Sequence, residues 1–100
     1  MTSGVYGIKH KMTSKWYVGV SINIEHRIKV HIYDLLTWPD QNEFSRDVKK
    51  YGLLLDWIVL EECSSSLFHE KEKEWVNAFD SKNKGYNLQA GGGHHPRWSR

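Results

Sequence analysis

The sequence predicts an α/β domain of the α+β type, with a small, mostly antiparallel three-stranded sheet flanked by three helices. Two short runs at 4–9 and 15–20 are rich in Val, Ile, Tyr and Trp, and the polar stretch HKMTS separates them as in a β-hairpin. Further along, three segments carry apolar residues at helical spacing, and one apolar run has the length of a strand. The order ββ-α-α-β-α follows from these observations.

The hairpin carries two tyrosines whose relative placement depends on strand register. Residues directly opposite each other in an antiparallel pair point to the same face of the sheet. If Tyr6 pairs with Tyr17, both phenols share one face, whereas a slip of one residue separates them. The loop contains no Asn-Gly or Asp-Gly, so the register stays open. Packing of two common strand residues explains the tyrosines as well as chemistry does.

The first two helices are indicated by apolar stripes with suitable boundary residues. The first stripe consists of Ile24, Ile28, Ile32 and Leu35. Ser21 or Asn23 can cap its start. In the second helix, within DQNEFSRDVKKYG, Asp40 with Glu43 resembles a capping box, and Gly52 is suited to the end.

The second half of the chain adds a strand, a helix and an irregular end. The run LLLDWIVLEE is almost continuously apolar, which is typical of a central, well-buried strand. The third helix falls within SSSLFHEKEKEWVNAFDS, and the segment GYNLQAGGGHHPRWSR contains three consecutive glycines. We therefore expect one domain over residues 1–90 and a Gly-rich exit linker or tail over residues 91–100.

Composition narrows the class of protein. With 100 residues, 39% of them hydrophobic, the chain can bury a core without disulfides, and the single Cys63 favours a reducing intracellular compartment. No apolar run approaches the ~20 residues of a membrane span, and no apolar signal-peptide core opens the chain. A net charge of +2 is too small for tight binding of nucleic acid by charge alone.

The third helix contains a carboxylate on its apolar side. At about 100° per residue, Glu72 lies inside the stripe formed by Phe68, Trp75, Val76 and Phe79. Burying a carboxylate is costly unless a metal, a cation or hydrogen bonds compensate. Glu72 is therefore a candidate metal ligand. The alternative is a Glu at the edge of the helix contact, reaching out to water or to a Lys.

The first helix places Arg27 and His31 one turn apart on the same face, next to the Ile stripe. A guanidinium suits phosphate oxygens, and an imidazole can pass a proton near neutral pH. A solvated flank that also includes His26 and Lys29 explains the same pattern. Without further residues, the pair favours that simpler explanation.

The C-terminal segment adds two ambiguous features. Asn87, in GYN, is suited to a turn or cap, and its functional role would be to orient water or Glu72. His94 and His95 lack a Cys partner and helical spacing. A solvated tail therefore explains the two histidines better than a metal site does.

Taken together, these residues resemble the GIY-YIG nuclease family. Gly4-Val5-Tyr6 and Tyr17-Val18-Gly19 match the two halves of the motif, with Val in place of Ile in each. Arg27 stands where the family has an Arg in the helix after the hairpin. His31 matches the His that follows one turn later in the phage and intron-encoded branch.

The C-terminal half continues the resemblance. Glu72 precedes Trp75 by three residues, as the family's metal-binding Glu precedes an aromatic residue. Gly85-Tyr86-Asn87, with Gly91-Gly92, matches the closing GYN and glycines. The resemblance spans roughly residues 3–93 and is greatest to phage and group I intron homing endonucleases. The stretch TWPDQNEF lacks a second His that some members of this branch carry.

The resemblance implies a metal-dependent DNA endonuclease that hydrolyses phosphodiester bonds by nicking or double-strand cleavage. Glu72 would hold one Mg²⁺ or Mn²⁺ ion, and Asn87 would support that metal site. Arg27 would stabilise the charge on the phosphate in the transition state. These roles give the carboxylate on the apolar stripe a reason to be there.

The resemblance also assigns the handling of water. Tyr6, or with less support Tyr17, would orient or deprotonate the attacking water, and His31 could accept the proton. A phenol with an ordinary pKa near 10 is a poor base at neutral pH, so the imidazole would relieve that difficulty.

The implied partner is DNA, with specificity supplied by a C-terminal or separate DNA-binding module and transient dimerisation on DNA as one route to a double-strand cut. The expected contacts to the DNA backbone are Lys9, Lys11, Lys15 and Lys29. A phage-infected or bacterial cell is the expected location. Two alternatives stay open: a non-catalytic DNA- or protein-binding module on the same fold, and a repair or restriction nuclease with the same chemistry.

Overall fold

The computed structural model describes residues 1–87 of the chain. Its elements in chain order are β1 (Gly4–His10), β2 (Trp16–Ser21), α1 (Ile24–Thr37), α2 (Glu43–Tyr51), β3 (Leu55–Glu62), α3 (Phe68–Phe79) and α4 (Ser81–Lys84). The predicted fold class and the order ββ-α-α-β-α are confirmed, and the four-residue α4 is an addition to them. The predicted tail at 91–100, with His94 and His95, lies outside the described residues.

The sheet has the strand order β2-β1-β3, and both pairings are antiparallel. The central strand is β1, so the prediction that LLLDWIVLEE forms a central, well-buried strand is wrong. Within residues 1–87, β3 pairs only with β1, and Trp57, Ile58 and Val59 are 42%, 47% and 38% exposed. The helices lie mainly over β1 and β2. An apolar run of this length is compatible with a partly exposed edge strand as well as with a buried one.

Helices cover the two faces of the hairpin and form two cores. On one face, Tyr6 and Tyr17 belong to a core that α1 and α2 complete. The helix residues of this core are Ile24, Ile28, Leu35, Phe44 and Val48. On the opposite face, Val5 and Val18 pack with Val76 of α3. The helices α1 and α3 therefore lie on the two sides of the same pair of strands.

Side-chain caps determine where α1 and α2 begin. Asn23 caps α1 by accepting a hydrogen bond from a backbone N–H of the first turn, at 3.2 Å. The expected capping box of Asp40 and Glu43 is wrong. Asn42 and Ser45 form it instead, because α2 begins at Glu43, and the two side chains accept bonds of 2.9 Å and 3.0 Å from each other's backbone N–H groups.

The described helices are short. The longest of those within residues 1–87, α1, has 14 residues. None of them combines the length and apolarity that crossing a membrane requires.

Candidate active site

The hairpin places the two tyrosines on one face of the sheet. Tyr6 lies opposite Gly19, and Tyr17 lies opposite Ile8, so the tyrosines are diagonal neighbours rather than a direct pair. An offset of two residues preserves the face to which a side chain points. The two ring centroids are 6.3 Å apart, and both side chains are buried in the core beneath α1 and α2.

Gly19 provides the space in which the Tyr6 phenol lies. A Cβ atom at position 19 would lie 2.5 Å from the Tyr6 hydroxyl oxygen and 3.0 Å from a ring carbon of Tyr17. Any side chain there would displace one of the phenols. Gly19 stood out in the sequence only as part of YVG. Its steric role depends on the register, which the loop sequence does not reveal.

Arg27 and His31 face the tyrosines rather than the solvent. Arg27 is 7% exposed and His31 is fully buried. The Arg27 guanidinium donates a hydrogen bond to the Tyr6 hydroxyl oxygen. The His31 ring stands edge-on to Tyr17, with centroids 4.7 Å apart and an interplanar angle of 82°. The solvated-flank explanation therefore applies to the exposed Lys29 but not to Arg27 or His31.

The side chain of Glu72, on α3, is half-buried, and its charge acts on the same phenols. Burial raises the pKa of Tyr6 to about 12, with Arg27 opposing the shift and the Glu72 charge adding to it. Burial is also the main cause of the raised pKa of Tyr17, followed by Tyr6 and Glu72. Both phenols are therefore neutral at pH 7. A neutral phenol can orient water by a hydrogen bond, so the raised pKa favours orientation over proton abstraction.

Asn87 uses its amide to bond the backbone of β2. Its Oδ1 accepts a hydrogen bond from the Val18 N–H at 2.8 Å, and its Nδ2 donates to the Val18 carbonyl at 2.9 Å. The side chain thereby pairs with the strand edge as a neighbouring strand would. The expected support of the metal site would act through β2, because the amide lies against the residue that follows Tyr17.

Two of the four lysines expected to contact DNA lie in ion pairs. Lys11 is 3.5 Å from Asp56, and Lys15 pairs with Glu43 and, at 3.7 Å, with Asp47. Surface pairs of this kind are worth about 0–1 kcal/mol, so a phosphate can replace the carboxylate. The other two lysines, on β1 and α1, are half-buried and exposed, respectively.

The donor set at Glu72 suits a magnesium-type ion. Within residues 1–87, no three or more His, Cys, Asp or Glu side chains are grouped so that they could hold a metal. Mg²⁺ is commonly bound through one or two carboxylates, while waters and substrate phosphates complete its shell. A single half-buried carboxylate, whose charge acts on two neutral phenols, fits that mode of binding.

This chain is similar in sequence to a known endonuclease family and to one of its phage relatives. Residues 2–87 match the family model of the GIY-YIG catalytic domain. Intron-associated endonuclease 1 of Enterobacteria phage T4 is 34% identical over 91 residues, which cover 88% of this chain. The chain spans 37% of the length of that endonuclease.

Solved structures of a related domain share the fold. The catalytic domain of the homing endonuclease I-TevI has a TM-score of 0.80 at 32% identity, with 87% of this chain and 98% of that chain covered. A mutant of the catalytic domain of the intron endonuclease I-TevI has a TM-score of 0.82 at 32% identity, with coverage of 90% and 96%. The similarity thus extends over nearly the whole of those catalytic domains.

Proposed function

The chain belongs to the GIY-YIG catalytic domain family, and from that membership we propose that it is a divalent-metal-dependent endodeoxyribonuclease. It hydrolyses phosphodiester bonds of DNA as the catalytic domain of a homing-type or phage mobile endonuclease. Similarity to proteins named as intron-associated and homing endonucleases supports the proposal. The observation that carries it is the hydrogen bond from Arg27 to Tyr6, a phenol on which the Glu72 charge also acts.

In the proposed site, the cationic Arg27 binds the phosphate and the anionic Glu72 binds the metal ion. The Arg27 guanidinium presents several donors in a plane, which suits the oxygens of a phosphate whose charge grows in the transition state. Glu72 would hold Mg²⁺ or Mn²⁺, one ion per site, and such an ion would supply Lewis-acid stabilisation of the phosphate and leaving oxygens. Asn87 keeps β2 in place beside these groups through Val18.

The phenols and the imidazole orient and deprotonate the attacking water in this proposal. Tyr6 accepts a hydrogen bond from Arg27, so its own O–H proton is left to orient the water. The water oxygen bonds to phosphorus while the bond from phosphorus to the leaving oxygen breaks. His31 receives the proton that the water loses, because the neutral phenols do not accept one at pH 7. Tyr17, edge-on to His31, positions that ring.

The proposed partners follow from the share of the related phage endonuclease that this chain covers. The chain spans 37% of the related phage endonuclease, so we propose that target specificity comes from a DNA-binding module in a C-terminal segment or on a separate chain. One site of this kind cuts one strand at a time, and a transient dimer on DNA or sequential nicking would complete a double-strand cut. The proposed place of action is the inside of a phage-infected or bacterial cell.

A supercoiled-plasmid assay tests the function. The wild-type chain should nick the plasmid in the presence of Mg²⁺ or Mn²⁺ and stop when EDTA is added. Glu72→Ala and Arg27→Ala should each lower the rate by roughly 10²–10³-fold. Glu74→Ala is the matched control, because Glu74 is an exposed carboxylate on the same helix that pairs with Lys71 at 3.8 Å.

Two results would contradict the proposal. A wild-type chain that leaves the plasmid intact at high concentration with both metals would favour a non-catalytic binding module on the same fold. Equal cutting by wild type and Glu72→Ala would show that the assignment of the metal to Glu72 is wrong, even if the chain is a nuclease.

A further inference from the structure

A row of aromatic rings connects the end of the described chain to the candidate active site. The rings of Tyr86 and Phe44 are stacked, with centroids 4.1 Å apart and an interplanar angle of 3°. Phe44 in turn stands edge-on to His31, at 5.6 Å and 76°, and lies 6.2 Å from Tyr17. Phe44 is 1% exposed. The imidazole of His31 therefore packs against the rings of both Tyr17 and Phe44, and the three rings form one cluster.

The outer end of this row is fixed by a directed chain of hydrogen bonds. The Tyr86 hydroxyl donates its single proton to Asp47 Oδ2 at 2.8 Å. Thr13 Oγ1, 2.7 Å away, must then be the donor to the Tyr86 oxygen. Asp47 lies on α2 and Thr13 in the turn between β1 and β2, so the phenol joins two elements that are distant in sequence. A chain of bonds that ends on a carboxylate strengthens each of its members.

The backbone beside this phenol also holds β2. The Tyr86 N–H donates to the Trp16 carbonyl at 2.9 Å, and the amide of the next residue, Asn87, bonds both backbone groups of Val18. These contacts lie immediately before and immediately after Tyr17. The strand is therefore held on both sides of the tyrosine that touches His31.

We propose that Phe44, Asp47 and Tyr86 are positioning residues of the active site, which hold His31 and Tyr17 in the geometry that proton transfer from water needs. The inference rests on the proposed function. It gives α2, to which the motif assigns no residue, the role of packing Phe44 against the imidazole and against Tyr17. Asp47 acts on His31 through Tyr86 and Phe44, and the proposal gives none of the three a direct contact with the DNA or the water.

The rate of single-turnover nicking can distinguish a positioning role of Phe44 from a general effect on folding. Phe44→Leu keeps an apolar side chain but removes the ring edge against His31. We expect its rate at saturating enzyme to fall by between about 10-fold and 100-fold, while the KM for DNA stays within about twofold. Val48→Ala is the matched control, since Val48 is a buried core residue one turn further along α2. It should lower the melting temperature at least as much but leave the rate within about twofold.

Substitutions at Asp47 test the hydrogen-bond chain by conservative rescue. Asp47→Ala removes the acceptor of the Tyr86 proton and should slow the reaction. Asp47→Asn keeps an oxygen that can accept the same bond and should retain most of the rate. Equal losses in Asp47→Asn and Asp47→Ala would show that the charge, and not the anchored phenol, matters. That result would overturn the role given to Asp47.

A measurement without DNA keeps the inference testable even if the wild-type chain has no nuclease activity. The ring protons of His31 in an NMR spectrum should give one sharp set of signals in the wild type and in Val48→Ala. In Phe44→Leu they should broaden or split, since the imidazole can then adopt more than one position. Unchanged His31 line widths in Phe44→Leu, or equal rate losses in Phe44→Leu and Val48→Ala, would overturn the proposal.

Discussion

The Tyr6 hydroxyl accepts a hydrogen bond from Arg27, which lies 21 residues later in the chain on a different element. The bond joins the first half of the motif to the helix behind it. It makes the guanidinium part of the same buried group as the phenol, although Arg27 is 7% exposed. Because the phenol oxygen accepts this bond, the hydroxyl proton is directed elsewhere, and water or a phosphate is the ligand that suits it.

Tyr6→Phe tests this relationship with the smallest possible change. The ring and its packing stay, but the oxygen that accepts from Arg27 and the proton that orients water are lost. We expect the nicking rate to fall by roughly 10²-fold, within the range attributed to one acid–base or hydrogen-bonding group, with the fold retained in circular dichroism. Tyr33→Phe is the control, since Tyr33 is on α1 but 67% exposed, and it should leave the rate unchanged. A Tyr6→Phe variant with the wild-type rate would assign the water to Tyr17.

Gly19→Ala should disturb the site from the opposite strand. The new Cβ would lie 2.5 Å from the Tyr6 hydroxyl oxygen, so the phenol must shift from the position in which it accepts the bond from Arg27. We expect a loss of about 1–3 kcal/mol in the free energy of unfolding and a strong loss of nicking, measured by urea denaturation and the plasmid assay.

Gly7→Ala is the matched control for that experiment. Gly7 lies in the same hairpin, on the face turned away from Tyr6, and its Cβ would lie 2.9 Å from the Trp16 ring. It should also destabilise the chain, but after correction for the unfolded fraction its rate should stay near that of the wild type. Equal rate losses per folded molecule in both variants would contradict a specific role for the space at Gly19.

The burial of Tyr6 predicts the pH at which its phenol ionises. Its pKa is raised from 10.0 to about 12 because burial favours the neutral phenol. A pKa that is higher in the folded than in the unfolded state means that the contribution to stability is complete below pH 10 and is lost as the pH rises toward 12. We therefore expect no ionisation of Tyr6 in the neutral range. Ultraviolet difference titration of wild type against Tyr6→Phe measures it, and a tyrosinate signal below pH 9 that Tyr6→Phe lacks would contradict the prediction.

Features that depend on residues close in sequence could be predicted well, whereas contacts between different elements could not. Helical spacing placed Glu72 on the inner side of α3, and Arg27 and His31 on one face of α1. Which way that face points depends on how α1 lies on the hairpin, which periodicity does not encode. The helical pattern therefore left open whether Arg27 and His31 face the solvent or the active site, and only the resemblance to the family favoured the active site.

The errors at β3 and at α2 have different physical origins. A run such as LLLDWIVLEE reports hydrophobicity but not position in the sheet, and the helices lie over β1 and β2 instead. At α2, several polar residues in DQNEFS can cap a helix, and the start of the helix decides between them. Asn42 and Ser45 form the reciprocal pair because α2 begins between them.

Asn87→Asp distinguishes a strand-anchoring role from a metal-supporting one. Asn87 both accepts from the Val18 N–H and donates to the Val18 carbonyl. A carboxylate can replace the acceptor but not the donor, and it would face the carbonyl oxygen with a negative charge. We expect a loss of about 1–3 kcal/mol in the free energy of unfolding, a lower nicking rate and no gain in Mn²⁺ affinity measured by calorimetry. If Asn87 instead contributed an oxygen to the ion, the added charge of Asp would tighten Mn²⁺ binding. Tighter binding with unchanged stability would therefore place Asn87 at the metal and remove it from the edge of β2.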